Sequence, residues 1–287
     1  MPEGYGVVTR GFVALGAAFT AETFLLAIGG LAITRFSGYD VRRCRGRIRT
    51  RMELSLQDQW KKETGEAAAK LVEPDMVVGL GTGSTATFAI TALGRRVAEE
   101  GLRIVAIPTS ERTAELARAV KIPLTTFADH TQIDLTIDGA DEVLPGPLYL
   151  IKGHGGALLR EKIVAAASKR MIVVADDTKL VKRLGELVSV PAEVVPFGWQ
   201  VTARRLAELG GNPTMRLDAA HEPYVTDGGH YILNCAFGPL KDPKEIAHHL
   251  DHVVGLVEHG LFLKFASEAL MAGRNGVRVL KKEVAAP

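Results

Sequence analysis

Apolar residues fall into short runs separated by amphipathic stretches, and this alternation predicts the architecture. Met76–Leu80, Arg103–Ile107, Ile133–Ile137, Leu148–Ile151 and Met171–Ala175 are dominated by Val, Ile and Leu and read as strands. Between them Gln57–Val72, the stretch from Ser84 to about Glu100, Glu111–Val120 and Ala157–Ser168 read as helices, the first stopped by Pro74. Strands alternating with helices predict an α/β fold, a parallel-sheet Rossmann-like domain with helices on both faces. Sites in such sheets lie at the carboxyl ends of the strands.

After about residue 187 the rhythm tightens. Val190–Val195, Thr214–Leu217, Tyr231–Cys235 and Val253–Glu258 read as strands, and Gln200–Leu209 and Pro243–Leu250 as helices. This strand–helix–strand–strand–helix–strand order predicts a smaller ferredoxin-like α+β domain. The expected organisation is 52–186 with 259–283 as the Rossmann-like domain, 187–258 as the small domain, and 1–51 as an extension.

Charge separates the extension from the rest. Residues 1–51 carry eight arginines against Glu3, Glu22 and Asp40, whereas the remainder carries 27 basic and 30 acidic side chains. Residues 11–34 form an apolar run long enough to span a bilayer. Glu22 near its centre, the Gly and Ala content and a nearly neutral leading segment argue against an anchor or a secretory signal. The preferred reading is an upstream extension from a mis-set start, with Met52 as the true beginning. Membrane contact is expected only if 11–34 inserts, and the location is cytoplasmic under either reading.

Over the whole chain of 287 residues, 47% hydrophobic content excludes a disordered or collagen-like protein. A net charge of +2 calls for no nucleic acid. Two cysteines, Cys44 and Cys235, supply neither a disulfide framework nor a Cys-x-x-Cys metal site.

Four stretches carry candidate chemistry. Gly81-Thr82-Gly83-Ser84-Thr85 is a glycine turn between a strand and a helix, where bare amides attract an anion. The following strand ends in Thr109-Ser110, without the acid a dinucleotide would need, so a small phosphate ester fits better. Asp138-Gly139-Ala140-Asp141 puts two carboxylates at a strand end, either for proton and hydroxyl chemistry or as an Asx turn. Lys152-Gly153-His154-Gly155-Gly156 pairs a cation with a glycine run, and Glu161 follows on a helix between Arg160 and Lys162. Glu161 reads either as a carboxylate aimed at the same site or as a solvated helix residue, and His154 as a loop residue. Asp176-Asp177-Thr178-Lys179 offers a cation for a phosphate or a surface charge.

In order and spacing, Gly81–Thr85, Asp138–Glu142, Lys152–Lys162 and Ala175–Lys179 together resemble the type A ribose-5-phosphate isomerases. The resemblance runs from about Gln57 to Lys281 and extends to Pro191–Gly198 and Thr226–Leu233 in the small domain. It implies interconversion of D-ribose 5-phosphate and D-ribulose 5-phosphate through an enediolate, in the non-oxidative pentose phosphate pathway, with no metal or nucleotide cofactor. It makes Glu161 the base and Lys152 the oxyanion stabiliser, with Asp138 and Asp141 on hydroxyls and ring opening. Substrate contacts would come from Thr82, Gly83, Ser84, Thr85, Gly139, Ala140, Gly153, His154, Gly155 and Lys179, with Lys61 a further phosphate candidate. The partner is then a small sugar phosphate, with no nucleic acid, and the assembly a homodimer or homotetramer.

His154 departs from the family's glycine, which bears on the loop's conformation. Asn234 stands where Asp is frequent, far from the inferred chemistry. The competing functions are a non-catalytic sugar-phosphate sensor, a sugar-phosphate deaminase or CoA transferase on a related fold, and a membrane-tethered scaffold.

Overall fold

The computed structural model describes residues 54–283; the expectations for 1–51 lie outside them. In chain order the elements are α1 (Leu56–Ala69), β1 (Val77–Leu80), α2 (Ser84–Glu99), β2 (Val105–Pro108), α3 (Glu111–Ala119), β3 (Leu135–Gly139), β4 (Glu142–Leu144), β5 (Tyr149–Ile151), α4 (Leu158–Ala166) and β6 (Met171–Asp176). There follow β7 (Val190–Val194), α5 (Trp199–Glu208), β8 (Pro213–Met215), β9 (Tyr231–Cys235), α6 (Pro243–Leu250), β10 (Leu256–His259), β11 (Leu261–Phe262), β12 (Glu268–Gly273) and β13 (Gly276–Lys281).

The principal sheet has the order β13-β12-β6-β3-β1-β2 and is parallel except for the β12–β13 hairpin. Strands β1 and β6 are buried along their whole length, as strands covered on both faces must be. On one face Ala68, Ala69 and Leu93 from α1 and α2 pack with Leu80 and Ile137. On the other, Ala165 of α4 and Phe262 of β11 pack with Val173 and Met271. Chain order reverses direction across the sheet at β1 and β3, and such a switch point opens a crevice at the strand ends.

The second sheet, β10-β7-β9-β8, is antiparallel throughout. With α5 and α6 between its strands it has the ferredoxin-like order that the tighter spacing predicts. Its core joins Val190, Ala192 and Val194 to Leu206 and Leu250.

One expectation is corrected. The strand at 148–151 does not continue the parallel series but joins β4 and β11 in a third, three-stranded antiparallel sheet of order β11-β5-β4. The Pro145–Leu148 turn between β4 and β5 is far too short for the crossover a parallel pair needs, so the two strands form a hairpin. Among the described residues no helix is long and apolar enough to cross a membrane.

Candidate active site

Strand ends β1 and β3 and the start of α4 enclose a cavity of about 140 Å³. Its wall is built from glycine at the points of closest approach. A Cβ at Gly81 would fall on the carboxylate and Cα of Asp138, so β1 and β3 meet this closely only with glycine there. Asp138 Oδ1 then accepts from the amides of Thr82 (3.1 Å) and Gly139 (2.7 Å), tying the two strand ends together.

Helix α2 begins at Gly83, φ +133°, with no side-chain cap, and α4 begins at Ala157, also without one. Helices α1, α3 and α6 are capped by Ser55, Ser110 and Asp242. The amides at the start of α2 are therefore left for another acceptor, and Ser84, Thr85, Lys61 and Lys179 line the same cavity. Positive helix end, hydroxyls and two ammonium groups together suit a phosphate.

At the other end stands a buried charge cluster. Lys152 Nζ donates to Gly139 O at 2.7 Å and lies 3.0 Å from Asp138 Oδ2 and 3.3 Å from Glu161 Oε2. Lys152 and Glu161 are each 2% exposed and Asp138 is fully buried. Burial would discharge Lys152, but Asp138 and Glu161 outweigh it and raise its pKa, keeping the ammonium charged. Burial, with the negative field of Asp138 added, pushes Glu161 up to about 8 against the pull of Lys152. Burial also raises Asp138, opposed by Lys152 and the two amides. Asp138 Oδ2 and Glu161 Oε2 both lack a hydrogen-bond donor, and Asp138 carries its two amides on the other oxygen, so the two carboxyl groups titrate as a pair around the Lys152 ammonium. The result is a carboxyl group that can take up and release a proton near neutral pH.

Most residues singled out in the sequence meet here. Thr82, Gly83, Ser84, Thr85, Gly139, Ala140, Asp141, Lys152, Gly153, Gly155, Glu161, Lys179 and Lys61 all line the cavity. Asp138 and His154 do not. Asp138 is fully buried, with Oδ2 3.0 Å from Lys152 Nζ and Oδ1 on the two amides, so it holds the ammonium and the strand ends. His154 donates its amide to Asp141 Oδ2 (3.0 Å) while its ring Nε2 meets Ser189 O (3.0 Å), so the imidazole faces the small domain. The loop accommodates His154 because positive φ falls at Gly153 and Gly156 on either side of it. Thr82 contributes differently from Ser84 and Thr85. Its hydroxyl is taken up by Thr109 (2.8 Å), Ser110 (2.8 Å) and Thr113 (3.0 Å).

One further residue escapes the sequence reading, and the expectation for Asn234 is corrected. Gln57 lines the cavity and donates to Asp176 Oδ2 at 3.3 Å; its position one turn before Lys61 on α1 was the available signal. Asn234 is not remote from the loop, since it accepts from Arg216, which in turn holds the carbonyls of Gly153 and His154.

Fold and site together define an α/β enzyme with a buried Lys–Asp–Glu cluster opposite an uncapped helix start. The family profile of ribose 5-phosphate isomerase A (phosphoriboisomerase A) matches residues 105–276, and the chain belongs to that family. The chain is 51% identical over 229 residues to ribose-5-phosphate isomerase A of a Synechococcus strain, covering 80% of this chain and all of that protein. With the Gloeobacter violaceus protein of the same name the identity is 54%, over 79% of this chain and 98% of the other. Among solved structures, ribose 5-phosphate isomerase A from Methanocaldococcus jannaschii superposes with a TM-score of 0.76 at 40% identity, covering 79% of this chain and all of that one. A D-ribose-5-phosphate isomerase in complex with phospho-erythronic acid gives 0.77 at 35% identity with the same coverage.

Proposed function

We propose that this chain interconverts D-ribose 5-phosphate and D-ribulose 5-phosphate, with Glu161 moving the proton. The observation that carries this reading is the buried Glu161 carboxyl, raised toward neutrality, beside Lys152 in a cavity that ends on the start of α2. The phosphate sits on the α2 amides with Ser84, Thr85, Lys179 and Lys61, which directs the sugar's C1–C2 end toward Lys152. Glu161, ionised, removes the proton from C2 of the open-chain aldose. The electron pair moves into a C1–C2 double bond and the carbonyl oxygen becomes an enediolate, stabilised by the Lys152 ammonium. A proton passes from O2 to O1, and Glu161 returns its own proton to C1, giving the ketose. Asp141 holds substrate hydroxyls, and Asp138 acts from behind by fixing Lys152 and raising Glu161. The bound phospho-erythronic acid in the related structure, a phosphorylated sugar acid, supports this class of ligand.

The test is Glu161→Gln assayed with chelator present. Turnover should fall by about 10²–10⁴-fold with the fold intact, and wild-type reaction in D2O should place deuterium at the exchanging carbon of the product. A folded wild-type protein that binds the sugar phosphate without turning it over would instead make the chain a sensor.

We carry two finer readings with it. The chain works as a homodimer or homotetramer, a reading supported by Phe197, Val201 and Val254, which are 94%, 59% and 89% exposed around the Val195–Gly255 hydrogen bond. Sedimentation as a monomer at micromolar concentration would overturn it. The location is cytoplasmic, in keeping with a chain of two cysteines of which Cys235 is a buried free thiol.

A further inference from the structure

The loop that follows Lys152 is gripped from two sides. The carboxylate of Asp141 accepts from His154 N at 3.0 Å. From the small domain, Arg216 Nη1 donates to Gly153 O at 2.8 Å and to His154 O at 3.3 Å. The other end of the same guanidinium, Nη2, donates to Asn234 Oδ1 at 2.6 Å. Arg216 is itself fixed just past the end of β8, its amide donating to Ile232 O (2.8 Å) and its carbonyl accepting from Tyr224 N (2.9 Å). A planar fork spanning two carbonyls and an amide oxygen is a geometry that lysine cannot reproduce.

The loop has reason to need this grip. Gly153 sits at φ +108° and Gly156 at φ +84°, backbone positions that confer freedom as well as permit the turn. Lys152 immediately precedes that freedom and Asp141 holds its middle at the His154 amide, and both line the cavity. Without Arg216, His154 O would lose its donor and Gly153 O would keep only the turn bond from Gly156 N (3.0 Å), leaving the Gly153–His154 peptides held from one side alone. Asn234 completes the device, its Oδ1 accepting from the far end of the guanidinium.

We propose that Arg216, braced by Asn234, is a positioning residue of the isomerase, fixing the Gly153–His154 peptides so that Lys152 and Asp141 stay in register with Glu161. The proposal rests on the roles given above to Lys152 and Glu161. It ties the catalytic loop to the small domain, a connection separated by 63 residues in sequence.

Steady-state kinetics and thermal unfolding of four variants test it, with Glu161→Gln alongside. Arg216→Gln should lower kcat about tenfold or more, the scale of a misplaced catalytic group, while KM moves less than about threefold because the phosphate contacts are untouched. Arg216→Lys should recover part of the loss, since an ammonium can serve one carbonyl. Asn234→Asp should keep kcat within about twofold of wild type, and Asn234→Leu should lower it to an intermediate value. A folded Arg216→Gln protein with wild-type kcat overturns the proposal, as does a rise in KM alone. Should Arg216→Gln fail to fold, Asn234→Leu decides, and a wild-type kcat there overturns it equally. If Glu161→Gln retains full turnover, the site assignment itself falls and this proposal with it. Loss in Glu161→Gln but not in the Arg216 and Asn234 variants removes the positioning role alone.

Discussion

At the scale of single residues, Glu161 is set apart by what it lacks. Asp138 has two amides and an ammonium, whereas Glu161 has only the ammonium at 3.3 Å to set against its burial and the field of Asp138. As the proposed base, Glu161 works ionised, so kcat/KM should climb as pH rises with its midpoint near pH 8, well above the ordinary carboxylate range, and level off only about a unit higher. A profile already flat from pH 5 would show that Glu161 titrates as a solvated acid. Such a value was not legible from Arg160-Glu161-Lys162, where two cationic neighbours suggest an exposed, normal carboxylate. In the fold those neighbours turn away, Arg160 to Glu111 and Asp227 and Lys162 to Glu258.

At the scale of elements, two glycines of neighbouring motifs have opposite duties. Gly81→Ala would drive a methyl into Asp138 and force β1 from β3, costing about 1–3 kcal/mol or more and most of the activity. Gly139→Ala meets nothing closer than 3.9 Å and should leave the urea midpoint near wild type. Equal destabilisation by both would refute the close approach. The main strands were legible because continuous Val- and Ile-rich runs bounded by turns have few other solutions. The third sheet was not, since β11 is two residues and β4 and β5 are three each, too short to show a period. Nor was the Arg216–Asn234 contact, because local patterning says nothing of which strand end will meet which loop. The glycine motifs, by contrast, announced the cavity, since bare amides and close backbone approach leave their mark directly in composition.

For the whole molecule, the acid–base centre sets a trade between stability and activity. Glu161 binds its proton more tightly folded than unfolded, so its contribution is fully present below about pH 4.5 and lost as pH rises toward 8. His259 has the reverse sign. Burial, aided by the nearby Lys162, lowers it to about 4, so stability is lost as pH falls from about 6.5 through 4. Between pH 6.5 and 8 only the Glu161 effect of the two operates, and the urea midpoint should decline with pH there. Glu161→Gln should flatten that decline and be the more stable protein at pH 8, while catalytically dead. A variant less stable than wild type at every pH would contradict the linkage.

The uncapped start of α2 also gives the molecule a thermometer for its own occupancy. Amides at Ser84, Thr85 and Ala86 have no capping side chain, so the first turn should fray and exchange its hydrogens faster than the capped first turn of α3. A phosphate group supplies the missing acceptors, and inorganic phosphate alone should slow exchange in that one turn. Slowing spread evenly over the chain would instead indicate general salt stabilisation. With the phosphate bound there as proposed, metabolite traffic through this enzyme would also set how firmly its second helix is wound.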